Sequence, residues 1–223
     1  MSSPASWDAY NDFLLYGATD RFAKILSRYE LFKRVLEVPG DIVECGVFKG
    51  AGVLFWAKLI QIFHPLSLRK VVGFDTFGEF PATSELDRRF AAELCTEAGY
   101  EGAGPAALME IAGQCGLRNR VELVPGDATA TVARYVTAHP GFRIALLNLD
   151  FDTYPPTRAA LDALYDSVVP GGVVICDEYS LSDCSESDAI DEFLRVRGLS
   201  SVRLRNLRWN LSPMAYFVKP HKD

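Results

Sequence analysis

Four short apolar runs in this 223-residue chain lead into acidic residues, and that pattern narrows the possible folds more than any other feature. "KVVGFD" ends at Asp75, "RVELVPGD" reaches Asp127 after a turn, "RIALLNLD" ends at Asp150, and "GVVICDEY" runs into Asp177 and Glu178. A fifth run, "DIVEC", comes earlier, between Pro39-Gly40 and Gly46. The runs are continuously apolar, as expected of strands in a parallel sheet covered on both faces. Helical segments separate them, and ahead of the first run Phe22, Ile25, Leu26, Tyr29 and Phe32 recur at three- and four-residue steps. Alternating β and α units predict right-handed crossovers and a doubly wound α/β sheet. Ligands of such sheets bind outside the carboxyl ends of the strands, where these acids fall.

Near the C-terminus, "SSVRLRNL" and "PMAYFVKP" lie too close together for a crossover helix and predict an antiparallel pair at a sheet edge. The length fits one domain, with residues 1–38 as a helical cap on a core of 39–223, and residues 79–105 read as a mobile insertion. A net charge of −6 argues against broad nucleic-acid binding and leaves a small molecule as the expected partner. The opening "MSSPASWDAY" lacks the build of a signal peptide. The most apolar stretch, "AGVLFWAKLIQIF", is interrupted by Lys58 and Gln61 and is too short to span a bilayer. The expectation is a cytoplasmic protein, free of membrane and self-associating, with Cys45 and Cys176 buried as reduced thiols. His64 and His139, each followed by proline, read as helix ends rather than catalysts.

Four motifs carry candidate chemistry. In "VECGVFKGAG", Gly46 and Gly50 permit a sharp strand-to-helix turn and close approach of a ligand. A pyrophosphate site would want G-x-G-x-x-G, whereas the glycines here stand at 46, 50 and 52 and Glu44 would repel phosphate. Asp75 can accept the two hydroxyls of a ribose, or cap a helix; Asp127, after Gly126, could equally be a cap. Asp150, Asp177 and Glu178 should meet at one end of the sheet, where three unpaired acids would repel one another. A hard divalent cation relieves that conflict. Caps, or pairing with Arg143, Arg158 or Lys219, are the plainer alternative.

The first of these motifs resembles the E-x-G-x-x-x-G turn of class I methyltransferases. The resemblance widens through "GFDTFGEFP", "LDFDTYPPT", "VPGG", "DEYS" and "YSLSDCSESDAIDEFLRVRG", which are similar to segments of the macrocin O-methyltransferase family from about Val38 to Lys219. It implies a Rossmann-like, mostly parallel seven-stranded sheet with one antiparallel strand and helices on both faces. It also implies S-adenosylmethionine held by Glu44, Gly46, Val47, Gly50, Asp75, Thr76, Gly126, Asp127 and Asp150. Mg²⁺ would sit on Asp150, Asp177 and Glu178, and the acceptor would be a hydroxyl of a sugar, nucleotide sugar or glycosylated natural product. Asp150, at the strand end, is expected to be both ligand and general base, ahead of Asp152. This chain carries Asp177-Glu178 where the family has Asp-Asp, and "YPPT" where it has "YEST". An NAD-dependent dehydrogenase and a non-catalytic Rossmann-fold binding protein are the competing readings.

Overall fold

The computed structural model describes residues 4–78, 85, 87–89, 92, 103–182, 184–207, 209, 212–213 and 215–221. Two helices, α1 (Pro4–Tyr16) and α2 (Thr19–Lys33), precede the sheet. Then follow β1 (Asp41–Cys45), α3 (Ala51–Phe63), β2 (Val71–Asp75), α4 (Pro105–Gln114) and β3 (Val121–Pro125). The second half runs α5 (Ala128–Ala138), β4 (Ile144–Leu149), α6 (Tyr154–Leu164), β5 (Val168–Cys176), α7 (Glu186–Val196) and β6 (Ala215–Val218). The expected insertion at 79–105 falls almost wholly outside the described residues.

The sheet order is β3-β2-β1-β4-β5-β6, parallel except for β6, which pairs antiparallel with β5. The chain reverses its direction of travel between β1 and β4, and such a switch point opens a crevice at the carboxyl ends of the two strands. Each face of the sheet carries its own core. Val43, Val72, Phe74, Leu147, Leu149 and Val174 pack under α5, α6 and α7. Ile42, Val71, Leu146, Val173 and Ile175 pack with Trp56 and Ile60 of α3 and Leu31 and Phe32 of α2. Successive residues of a strand point to opposite faces, so both parities must be apolar, and this accounts for the uninterrupted runs.

The expected seventh strand is reduced to one bridge among the described residues. Arg205 exchanges backbone hydrogen bonds with Tyr216 at 2.9 and 2.8 Å, on the edge of β6 away from β5. Only Val202, Leu204 and Leu207 of that run turn inward, while Arg203 and Arg205 stay in solvent, so little apolar surface holds more of it to the edge. The antiparallel pairing itself is present, with the sheet fully laddered to six strands.

Helix α2 also departs from expectation. Ile25 and Leu26 are exposed, and the buried face is Ser27, Arg28, Leu31 and Phe32. The end of α2 nearest the strand tips turns charge inward because it meets carboxylates there. Among the described residues no helix is long and apolar enough to cross a membrane. His64 and His139 are the C-cap residues of α3 and α5, and Cys45 and Cys176 are free and buried, all as expected.

Candidate active site

A cavity of about 920 Å³ opens at the switch point. One wall is the turn after β1. Gly46 there has φ +93° and donates its N–H to the Phe74 carbonyl at 2.9 Å. Asp75, at the tip of β2, holds this turn: Oδ2 accepts from the Val47 and Phe48 amides at 2.7 and 2.9 Å, and Oδ1 accepts from Phe77 at 2.7 Å. The carboxylate is therefore a structural anchor of the turn as well as a cavity-lining group.

The absence of a side chain at Gly46 has a nearer cause than room for a ligand. A Cβ there would lie 1.9 Å from the Asp150 carbonyl oxygen, a backbone atom of β4's end. Gly46→Ala should therefore destabilise the fold by at least about 2 kcal/mol, as strain at a left-handed position with no space to relax. Thermal melting measures it, and an unchanged melting temperature would show that the turn is softer than this geometry implies.

The opposite wall is acidic. Leu149 of β4 is in register with Cys176 of β5, so Asp150 and Asp177 follow side by side, and the Asp177 amide donates to the Leu149 carbonyl at 3.0 Å. By the two-residue period these acids point to the same face as Glu44, the face covered by α2. Asp150, Asp177 and Glu178 each offer an oxygen within 4.8 Å of the others. Asp177 is fully buried, and its Oδ1 has no hydrogen-bond partner among the described residues. An orphaned buried carboxylate oxygen facing two more carboxylates is a donor set that fits a hard divalent cation.

Two cations from α2 meet this wall. The Lys24 ammonium lies 2.7 Å from Asp177 Oδ2 and 3.8 Å from Asp150 Oδ2. The Arg28 guanidinium lies 3.0 Å from Asp150 Oδ2, 3.7 Å from Glu44 Oε1 and 3.9 Å from Asp177 Oδ1. Ser212 also donates to Asp177. The cations that the plainer alternative offers these acids lie elsewhere. Arg158 pairs instead with Asp162 and Glu192, Arg143 donates to nearby carbonyls, and Lys219 donates to the carbonyls of Tyr165 and Val168.

The charges do not balance across the wall. Burial would raise Asp177, yet Lys24 and Arg28 together hold it below the usual carboxylate range. Burial, reinforced by Asp177, pushes Asp150 well above that range against the pull of Lys24 and Arg28. Asp152, in a left-handed conformation with φ 65°, is pushed well up by burial and by Glu178 and Asp177. Burial and Asp177 lift Glu178 to about 7. Glu178, Asp150 and Asp152 hold protons more tightly in the folded state, so folding stability falls as pH rises from the ordinary carboxylate pKa. In chelator, the melting temperature should decline between about pH 4.5 and 7, the range through which Glu178 ionises. A melting temperature that rises through that window would contradict this distribution of charge.

Glu44, Gly46, Val47, Asp75, Thr76, Asp150 and Glu178 line the cavity, with Asp177 buried behind them. Glu44 is bound by Arg28 and the Trp56 indole rather than free. Gly50, Gly126 and Asp127 are not among the lining residues. Gly50 is the N-cap of α3, packed against Leu108, and Asp127 caps α5 by accepting from Thr129 N at 2.8 Å. Lys24, Arg28 and Asp152 were not identified as site residues from sequence, although the i, i+4 spacing of the two cations on one helix face was there to be read.

The family model for macrocin-O-methyltransferase (TylF) matches residues 28–209. Mycinamicin III 3''-O-methyltransferase of Micromonospora griseorubida is 30% identical over 168 residues, which cover 73% of this chain and 63% of that protein. A tetracenomycin-C rhamnosyl 4'-O-methyltransferase of Streptomyces olivaceus is 28% identical over 167 residues, covering 73% and 61%. The chain thus spans less than two thirds of the length of these curated relatives. Among solved structures, the calicheamicin methyltransferase CalS11 superposes with a TM-score of 0.78 at 30% identity, covering 98% of this chain and 94% of that one. A ligand-free structure of CalS11, described as a TDP-rhamnose 3'-O-methyltransferase, gives 0.72 at 29% identity, covering 97% and 88%. The fold is that of the class I methyltransferases, and with 28–209 matched in one stretch this chain belongs to the macrocin-O-methyltransferase family.

Proposed function

We propose that this chain is an S-adenosylmethionine- and Mg²⁺-dependent O-methyltransferase acting in the cytoplasm. Its acceptor is a hydroxyl of a sugar, nucleotide sugar or glycosylated natural product. The observation that carries the reading is the two-walled cavity, with an anchored glycine turn and Asp75 on one side and Asp150, Asp152 and Glu178 on the other. The rhamnosyl and TDP-rhamnose O-methyltransferases among the related proteins support the acceptor class. The acidic charge balance supports a small-molecule acceptor over nucleic acid.

The cofactor would be held by Gly46, Val47, Asp75 and Thr76, with Glu44 behind the turn and Gly50, Gly126 and Asp127 shaping the two adjoining turns. Asp75 would accept the ribose hydroxyls with the capacity its three backbone contacts leave. Asp75→Ala should weaken S-adenosylmethionine binding by about 10- to 100-fold, the loss of charge-assisted hydrogen bonds worth about 1.5–3 kcal/mol. Calorimetric titration measures it.

Asp150, Asp177 and Glu178 would hold the cation, whose Lewis acidity lowers the pKa of a nearby alcohol by several units. Proton acceptance was expected of Asp150. We assign it to Asp152, because Asp150 is already bound to Arg28, whereas Asp152 makes no hydrogen bond or ion pair among the described residues. Asp152 also lines the cavity, and burial with Glu178 and Asp177 beside it raises its affinity for a proton, the direction a general base needs.

The test is titration of the protein with S-adenosylmethionine and with NAD, each with and without Mg²⁺, followed by methyl-transfer assays on nucleotide sugars and glycosides. Saturable binding of S-adenosylmethionine and methylation of a sugar hydroxyl are expected. Binding of NAD in its place would overturn the proposal.

A further inference from the structure

Lys24 stands where a second cation would go. Its ammonium touches two of the three carboxylates that face one another in the cluster, at 2.7 Å from Asp177 and 3.8 Å from Asp150. Asp177 meanwhile keeps one fully buried oxygen without a hydrogen-bond partner among the described residues. The wall therefore holds a seat that a single ammonium fills incompletely. Lys24 also lies outside the stretch matched by the family model, which begins at Arg28.

We propose that Lys24 is a tethered counter-ion occupying the cation seat of the Asp150–Asp177–Glu178 cluster, and that a divalent cation enters only by displacing it. The inference rests on the reading of that cluster as a metal site. An ammonium and a dication at such separations repel strongly, so the seat holds one or the other.

Of the two α2 cations that meet the wall, Lys24 is the one able to leave. Arg28 is fixed on three sides, by Asp150, by Glu44 and by the Trp56 ring 5.7 Å from its guanidinium carbon. Its side chain is only 10% exposed. The Lys24 side chain is 24% exposed, lines the open cavity and swings on a flexible four-carbon stem. In the metal-free protein it neutralises the buried Asp177. When it withdraws, Asp177 loses its nearest counter-charge and Asp150 keeps only Arg28, so each can turn an oxygen to the incoming ion while Arg28 keeps α2 seated.

The experiment is calorimetric titration of Mg²⁺ into the full chain and into Lys24→Met. With the competing charge gone, Lys24→Met should bind Mg²⁺ at least about tenfold more tightly than wild type, a modest share of what a like charge at this distance would cost. Lys33→Met, which removes a surface lysine paired with Glu30, should bind as wild type does. Equal or weaker binding by Lys24→Met would overturn the inference while leaving the metal site standing. Failure of every protein to bind Mg²⁺ would overturn the metal reading and the inference with it.

If Lys24→Met does not fold, the wild-type chain still decides. The ¹³Cε signal of Lys24, assigned by its loss in Lys24→Arg, should move toward that of a solvated lysine in step with Mg²⁺ saturation. A signal unmoved at saturation would overturn the displacement.

Discussion

Replacing Asp152 by asparagine should lower kcat by at least about 10²-fold, the lower range of what general-base catalysis contributes, with the fold and S-adenosylmethionine affinity retained. The carboxylate is pushed well above the ordinary range by burial and by Glu178 and Asp177, so it binds a proton more tightly than an exposed aspartate would. Asparagine keeps its shape and removes that capacity. Asp150→Asn should fail differently. Asp150 faces Arg28 and sits in the cation cluster, so its loss should weaken Mg²⁺ binding, and raised Mg²⁺ should restore part of the turnover. Asp152→Asn should show no such rescue. If the rescue appeared in Asp152→Asn and not in Asp150→Asn, the two roles would be exchanged.

Asp177→Asn should lose nearly all turnover while S-adenosylmethionine affinity stays within a few-fold, because Asp177 is buried behind the acidic wall and does not line the cavity beside the glycine turn. The same substitution should cost stability. Asp177 is fully buried, with Lys24 at 2.7 Å, Arg28 at 3.9 Å and Ser212 donating to it. Removing one charge of a buried pair leaves the other poorly compensated, a loss of about 3 kcal/mol. Turnover near wild type would remove Asp177 from the site. A loss of turnover with unaltered stability would show that Lys24 and Arg28 find other partners.

The parts of this protein legible in its sequence are those where burial acts on both faces of a strand. β1 to β5 could be read because each must satisfy two cores, and their acids could be placed because a parallel sheet brings the carboxyl ends together. Asp150, Asp177 and Glu178 meet for that reason. The seventh strand was not legible as a single bridge, since Val202 and Leu204 alternate with Arg203 and Arg205 as any half-buried strand would, and edge pairing depends on how much apolar surface the edge presents.

The cations of α2 escaped for a different reason. Helical periodicity was read from apolar residues alone, which put Ile25 and Leu26 inside. The inward face there carries Lys24 and Arg28, because the surface it covers is acidic. Asp152 lies beyond the strand end, and its left-handed backbone accompanies its place in the cavity lining. Gly46 was expected to make room for a ligand, yet it faces the Asp150 backbone first. Local pattern carries no information about which distant segment closes on a turn.

The most direct measurement is methyl transfer to an accepted sugar hydroxyl, followed in excess EDTA and again after Mg²⁺ is restored. With the carboxylate cluster acting through a divalent cation, chelation should remove at least about 99% of the rate, consistent with the several units of pKa lowering a bound cation supplies, and Mg²⁺ should bring it back. Full activity in EDTA would contradict this, and would mean that Lys24 and Arg28 alone neutralise the carboxylates during methyl transfer.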